Sequence, residues 1–176
     1  ERIIPNSFAV DALLARVFLF LENWEKAEFH ATLVISNSAT YSLLNDLNSF
    51  AEPNGPESIW QLKPVNPSLN TWEGLNFLIL PDRLPSRHIL SLSLLDDFED
   101  GDLRREAWID SVFVNGETYY FPNKYKIRRG EEKLEYSVVL RLAEQYLIRA
   151  EARINQGNIQ GGLEDVNRIR SRAGLP

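Results

Sequence analysis

The densest set of groups able to do chemistry is the acidic run DDFEDGD, Asp96 to Asp102, and the chemistry it suggests is calcium ligation. An EF-hand loop needs oxygen ligands at positions 1, 3, 5 and 12 around a turn glycine at position 6. With Gly101 as that glycine, Asp96 and Asp100 take positions 1 and 5, but Phe98 and Ala107 fall at 3 and 12 and offer no side-chain oxygen. The run reads instead as a solvated acidic helix end and turn. His30 and His88 lie far apart, with no partner at a ligand spacing such as H-E-x-x-H, and read as surface or packing residues. No metal and no cofactor is expected.

Nucleophilic and phosphate chemistry fare no better. There is no cysteine, no G-x-S-x-G elbow and no G-x-x-x-x-G-K-[ST] loop. GNIQGG, from Gly157, has the wrong spacing for a dinucleotide fold and follows a helix, so helix termination accounts for it. Glycoside hydrolysis needs only two carboxyl groups roughly 5–9.5 Å apart in space and no sequence motif. The 25 acidic residues therefore leave that reaction open, but most must serve as surface charge, and the expectation is a protein without catalysis.

The aromatic residues are more suggestive. In NPSLNTWEGLNF, Trp72 stands in a stretch whose Asn, Pro and Gly content predicts no regular element. An indole on such a loop can stack on a sugar ring while Asn66, Asn70 or Asn76 bond its hydroxyls; the competing use is a local core under the loop. Trp24 is predicted to fill a helix elbow. Trp60 and Trp108 fall in predicted strands, where burial and β-propensity explain them.

The elements that position these residues are legible at both ends of the chain. Val139, Leu142, Ala143, Tyr146, Leu147, Ala150 and Ile154 form one apolar stripe at helical period. Gly157 ends that helix and Asn158 caps the next, which carries Glu164 and Asp165 early and Arg168, Arg170 and Arg172 late, the order that complements a helix dipole. Gly174 and Pro176 stop it. A shift of 135 positions lays this pair over Asp11 to Ser36: Ala15 over Ala150, Asn23 over Asn158, Trp24 over Ile159, and Ala27 over Gly162. Small residues where two antiparallel helices approach, with a large residue at the elbow, are the logic of a tetratricopeptide-type pair.

The expected fold is thus mainly α: tetratricopeptide-like helix pairs over 7–37 and 137–174, with an irregular insert over 38–136. Seven prolines (Pro53, Pro56, Pro64, Pro67, Pro81, Pro85 and Pro122) keep that insert from being one long helix. ESIWQLKP predicts a short strand, SLSLLDDFED a short helix, and AWIDSVFVNGETYYF a β-hairpin turning at Asn115 and Gly116.

Nineteen basic against 25 acidic residues give a net charge of −6, which repels phosphate backbones and excludes nucleic acid as the natural partner. No apolar run reaches the ~18–20 residues of a membrane span. The chain has no Met and opens within what reads as a continuing segment, so it is expected to be part of a longer protein.

LRLAEQYLIRAEARINQGN followed by VNRIRSRAGLP resembles the closing signature of the SusD/RagB family, the glycan-binding outer-membrane lipoproteins of Bacteroidetes. ALLARVFLFLENWEKAEFHA, ESIWQLK, and DLRREAWI leading to YYFPNKYKIRR are similar to further blocks of that family, in the same order. The resemblance implies that residues 1–176 are part of one SusD/RagB domain. It implies a surface-exposed lipoprotein of the outer membrane, anchored by a lipid outside this segment, whose helices form the scaffold beside a SusC-like TonB-dependent transporter while irregular loops bind glycan. The family has no fixed sugar-binding motif, so Trp72 and its asparagines remain a reading of the residues themselves. The alternative function is a tetratricopeptide-type scaffold that binds a peptide or protein.

Overall fold

The computed structural model describes residues 1–80 and 88–176; Pro81 and Pro85, invoked above as helix breakers, lie outside the described residues. Four long helices form a row. Helix α1 (Ser7–Phe20) packs on α2 (Trp24–Ile35), α2 on α6 (Leu142–Asn155), and α6 on α7 (Ile159–Arg172). Between α2 and α6 the chain runs through a 3-10 turn (Leu47–Ser49), strand β1 (Ser58–Leu62), the short helices α3 (Trp72–Phe77), α4 (Leu92–Asp96) and α5 (Leu103–Trp108), the strands β2 (Ile109–Val114) and β3 (Glu117–Pro122), and strand β4 (Ser137–Arg141).

The two elbows are built alike. Asn23 and Asn158 cap α2 and α7, their side-chain oxygens accepting from Lys26 N and Gly161 N at 3.2 and 3.0 Å. The residue before each cap is left-handed: Gly157 at φ 86°, and, in the first pair, Glu22 at φ 54°. Ala15, Ala27 and Ala150 are buried, and so is Gly162, whose missing Cβ would stand 2.9 Å from the Ala150 carbonyl oxygen. Trp24 packs, partly buried, against the cluster of Ala15, Ala27, Ala31, Ile148 and Ala152. Ile159 does not match it. It is 52% exposed, and the space beside Gly162 is taken by Ile154, whose Cγ1 lies 2.5 Å from where a Cβ would be. Ile154, from the last turn of α6, takes the place beside Gly162 that the alignment of the two pairs assigned to Ile159.

The single stripe expected on α6 also needs correction. Val139 belongs to β4, and Leu147 and Ile154 are exposed, while Gln145, Ile148 and Ala152 are buried. Lying between α2 and α7, α6 buries two flanks, and a two-sided helix has no single apolar stripe.

Strand β4 closes the excursion by pairing antiparallel with β1, placing Trp60 against Leu140 and Leu62 against Ser137. Ile59 and Leu140 from this pair join Ala9, Ala12, Val34, Tyr41 and Leu142 in the main core. The hairpin of β2 and β3 turns at Asn115 and Gly116, both at positive φ, as that dipeptide allows. Trp108 ends α5 and is not in a strand, because Asp102 caps the segment by accepting from Arg104 N at 2.9 Å; the indole donates to the Leu47 carbonyl at 2.9 Å.

Candidate functional site

A groove of about 470 Å³ opens where β1 ends, lined by Leu62 to Asn66 on one side, Leu69 to Trp72 on the other, and Ser137. Its floor is the paired ends of β1 and β4. Trp72, 65% exposed, and Val65, 95% exposed, give it apolar surface.

The sequence NPSLNTWEGLNF does form regular structure here, against expectation. Thr71 caps α3, its hydroxyl oxygen accepting from Gly74 N at 3.0 Å, and four residues suffice to start a helical turn despite the neighbouring Asn and Gly. Gly74 is required for packing: a Cβ there would lie 2.3 Å from the Ile127 carbonyl oxygen. Trp72 is thus mounted on a short capped helix seated against the 124–130 segment.

The three asparagines have different fates. Asn70, only 1% exposed, is consumed internally: its Oδ1 accepts from Leu134 N at 2.8 Å and Glu135 N at 3.0 Å, and its Nδ2 donates to the Glu132 carbonyl at 3.0 Å. It positions the groove wall, with its oxygen and one amide N–H spent on backbone, where the residue type alone suggested a ligand contact. Asn76 is exposed but outside the groove, donating to the Trp72 carbonyl one turn back at 2.7 Å. Asn66 lines the groove; its Oδ1 accepts from Ser68 N at 3.0 Å, leaving Nδ2 toward solvent. The structure brings Trp72 and Asn66 together at one opening, with Asn70 behind them.

Sequence reasoning missed Lys63, Leu62, Val65 and Ser137. Ser137 donates to Glu73 Oε2 at 2.8 Å. Behind the wall, Glu135 accepts from Lys126 N at 2.6 Å and Ile127 N at 3.0 Å, and burial raises its carboxyl pKa despite those bonds.

A second concentration of charge lies deeper. Glu57, buried ahead of β1, accepts from Leu44 N at 3.0 Å and pairs with Arg141 at 3.3 Å and with Arg172 of α7. Lys124 Nζ stands 4.0 Å from the Trp108 ring centre and 4.3 Å from that of Phe50. Burial, reinforced by Arg141, lowers the Lys124 pKa to about 7. This cluster joins insert to helices.

The acidic run serves structure. Asp102 is the α5 cap, its pKa lowered first by its hydrogen bond to Arg104, and Glu99 pairs with Arg170 at 2.5 Å. Among the described residues no group of three or more His, Asp or Glu is placed to hold a metal ion. His30 bonds Asp11 at 2.9 Å and stacks on Phe18, while His88 meets Phe77 edge-on. No described helix is long and apolar enough to cross a membrane.

Residues 98–176 match the model of the SusD family. Across the whole chain the fold is similar to a SusD-like carbohydrate binding protein from Bacteroides vulgatus, with TM-score 0.79, 20% identity, and coverage of 100% of this chain and 39% of that one. It is similar to a SusD superfamily protein from Parabacteroides distasonis (TM-score 0.77, 24% identity, 98% and 45% coverage). It is also similar to surface glycan-binding protein A from Bacteroides uniformis (TM-score 0.67, 21% identity, 95% and 42% coverage). The chain therefore spans less than half the length of these solved structures. A comparison with curated protein sequences returns no match.

Proposed function

We propose that this chain belongs to the SusD/RagB family, whose model matches residues 98–176, and that it contributes a non-catalytic glycan-binding surface to a protein that passes oligosaccharide to a transporter. The observation that carries the reading is the exposed indole of Trp72 at the rim of a groove, held on a capped helix. A rigid aromatic face covers the apolar face of a sugar ring without losing much side-chain entropy, and Asn66 supplies a donor for its hydroxyls. Among the described residues no carboxylate lines the groove.

The partner is a SusC-like TonB-dependent barrel, and the location is the outer face of the outer membrane, with a lipid anchor outside this segment. The four-helix row is scaffold, and recognition belongs to the insert between the pairs. Single stacking contacts of this kind are weak, so avidity for a polymer comes from repeated engagement.

Titration of a broad glycan panel by calorimetry or affinity electrophoresis tests the reading. Trp72→Ala is expected to weaken the best ligand by roughly tenfold, about 1.4 kcal/mol, with unchanged thermal stability. A panel with no binder, or a binder indifferent to Trp72→Ala, overturns the assignment of the groove. Capture of peptides in place of glycans would return the function to a tetratricopeptide-type scaffold.

A further inference from the structure

Among the described residues lining the Trp72 groove, Lys63 alone carries a charge, in a chain whose net charge is −6. Lys63 is exposed and forms no ion pair among the described residues. The rest of the polar lining is committed in one direction. Asn66 has spent its oxygen on Ser68 N and Oγ, at 3.0 and 3.1 Å, and keeps only its amide donor. The Ser137 hydroxyl has given its proton to Glu73 and keeps only acceptor capacity. Asn70, buried, has its oxygen filled by Leu134 N and Glu135 N and one amide N–H given to the Glu132 carbonyl.

Among the described residues, the free side-chain groups of the groove are thus mostly donors, the Lys63 ammonium, the Asn66 amide N–H₂ and the Trp72 indole N–H, beside the Ser137 hydroxyl, left as an acceptor, and the Thr71 hydroxyl, whose oxygen already accepts from Gly74 N. A neutral sugar satisfies such a set poorly, because each hydroxyl brings a donor as well as lone pairs. A carboxylate brings acceptors alone and gains from charge assistance. On the reading of this groove as a glycan site, we infer that it prefers a carboxylate-bearing sugar of the uronic acid type, with the ring on Trp72 and the carboxylate toward Lys63 and Asn66. The Glu73 carboxylate, held behind Ser137, opposes an anion placed deep in the groove and so favours a carboxylate at the Lys63 end.

The test compares a uronate oligosaccharide with its methyl ester, which removes the charge and keeps the ring. Because Lys63 is exposed, the acid is expected to bind roughly two- to fivefold tighter, as for a solvent-exposed ion pair. That margin is expected to shrink as salt rises from ~0.01 to 0.15 M. Lys63→Gln is expected to abolish the margin between acid and ester, with the melting temperature unchanged. Equal affinity for acid and ester, or a preference for neutral glycans in the panel, overturns this inference and leaves the glycan site standing. Failure of every glycan, charged or neutral, overturns both.

Discussion

Replacing Asn70 separates a residue that builds the groove from one that touches a ligand. Asn70→Ala deletes three hydrogen bonds to the 132–135 segment and leaves Leu134 N and Glu135 N without their acceptor in a part-buried to buried place. An unsatisfied donor of this kind costs about 1–3 kcal/mol, and two N–H groups with partial access to water put the loss at about 2–4 kcal/mol. For a domain of this size each kcal/mol moves the melting temperature by roughly 2–4 °C, so a fall on the order of 10 °C is expected by calorimetry or circular dichroism. Asn70→Asp keeps the acceptor, loses the donor to Glu132 O, and sets a second carboxylate beside Glu135, whose own carboxyl is already raised by burial. Its loss is expected to grow from acid to neutral pH as the new group ionises. Glycan binding by either variant is expected to recover at temperatures well below its melting point. A variant that melts like the parent but has lost binding would refute the structural role and make Asn70 a ligand contact.

Other perturbations follow from the same geometry. Glu22 holds a left-handed conformation that Gly157 holds in the second pair, so Glu22→Gly is expected to stabilise by about 0.5–1 kcal/mol in urea unfolding. Gly162→Ala is expected to destabilise by up to about 2 kcal/mol. The crowding against Ile154 and the Ala150 carbonyl, about 1–3 kcal/mol, exceeds the ~1 kcal/mol of helix propensity gained. Adding Ile154→Ala is expected to recover only part of that, since the carbonyl contact remains. For Lys124, a folded pKa of about 7 beneath an ordinary value of 10.5 means that the unfolded chain binds more protons between those pH values. Stability should therefore rise with pH across that window, by at most about 1.4 kcal/mol per pH unit, with the penalty complete below pH 7. Lys124→Met, which keeps the contact with Phe50 and Trp108, is expected to flatten that slope in denaturant titrations; an unchanged slope would assign it elsewhere.

The helix pairs were legible because their signals are local: Asn caps, a glycine before the second, and small residues at the crossings. The hairpin at Asn115 and Gly116 was legible for the same reason. Strand β4 was not, since Ser137–Arg141 continues the apolar pattern of the helix after it and its partner β1 is some 80 residues away. The burial of Gln145 follows from α6 having two neighbours, which no one-sided pattern encodes. In the groove, Trp72 was found because an indole among Asn and Pro stands out. Lys63 and Ser137 were missed because they are ordinary residues until the β1–β4 pairing brings them to one opening. Asn70 was misread because residue type cannot distinguish an amide with free hydrogen-bonding capacity from one spent on backbone.

The β1–β4 pair also explains how an irregular excursion can present a defined surface. Its far end, Leu62 opposite Ser137, is the groove floor, and its near end is fixed by Glu57, whose carboxylate takes Leu44 N, Arg141 and Arg172 together while its carbonyl accepts from Leu142 N at 2.8 Å. Glu57 thus links the segment ahead of the 3-10 turn, strand β4 and the last turn of α7 through its carboxylate, and the first turn of α6 through its carbonyl. Removing one partner from such a cluster strands the remaining charges away from water, which is more costly than the pairing is favourable, so the joint tolerates little play. Three cations around one carboxylate would carry excess charge, and a Lys124 that releases its proton near pH 7 lowers it. The groove therefore inherits its rigidity from the helix row through two strands of five residues each, which leaves its rim free to vary in side chain without loss of shape.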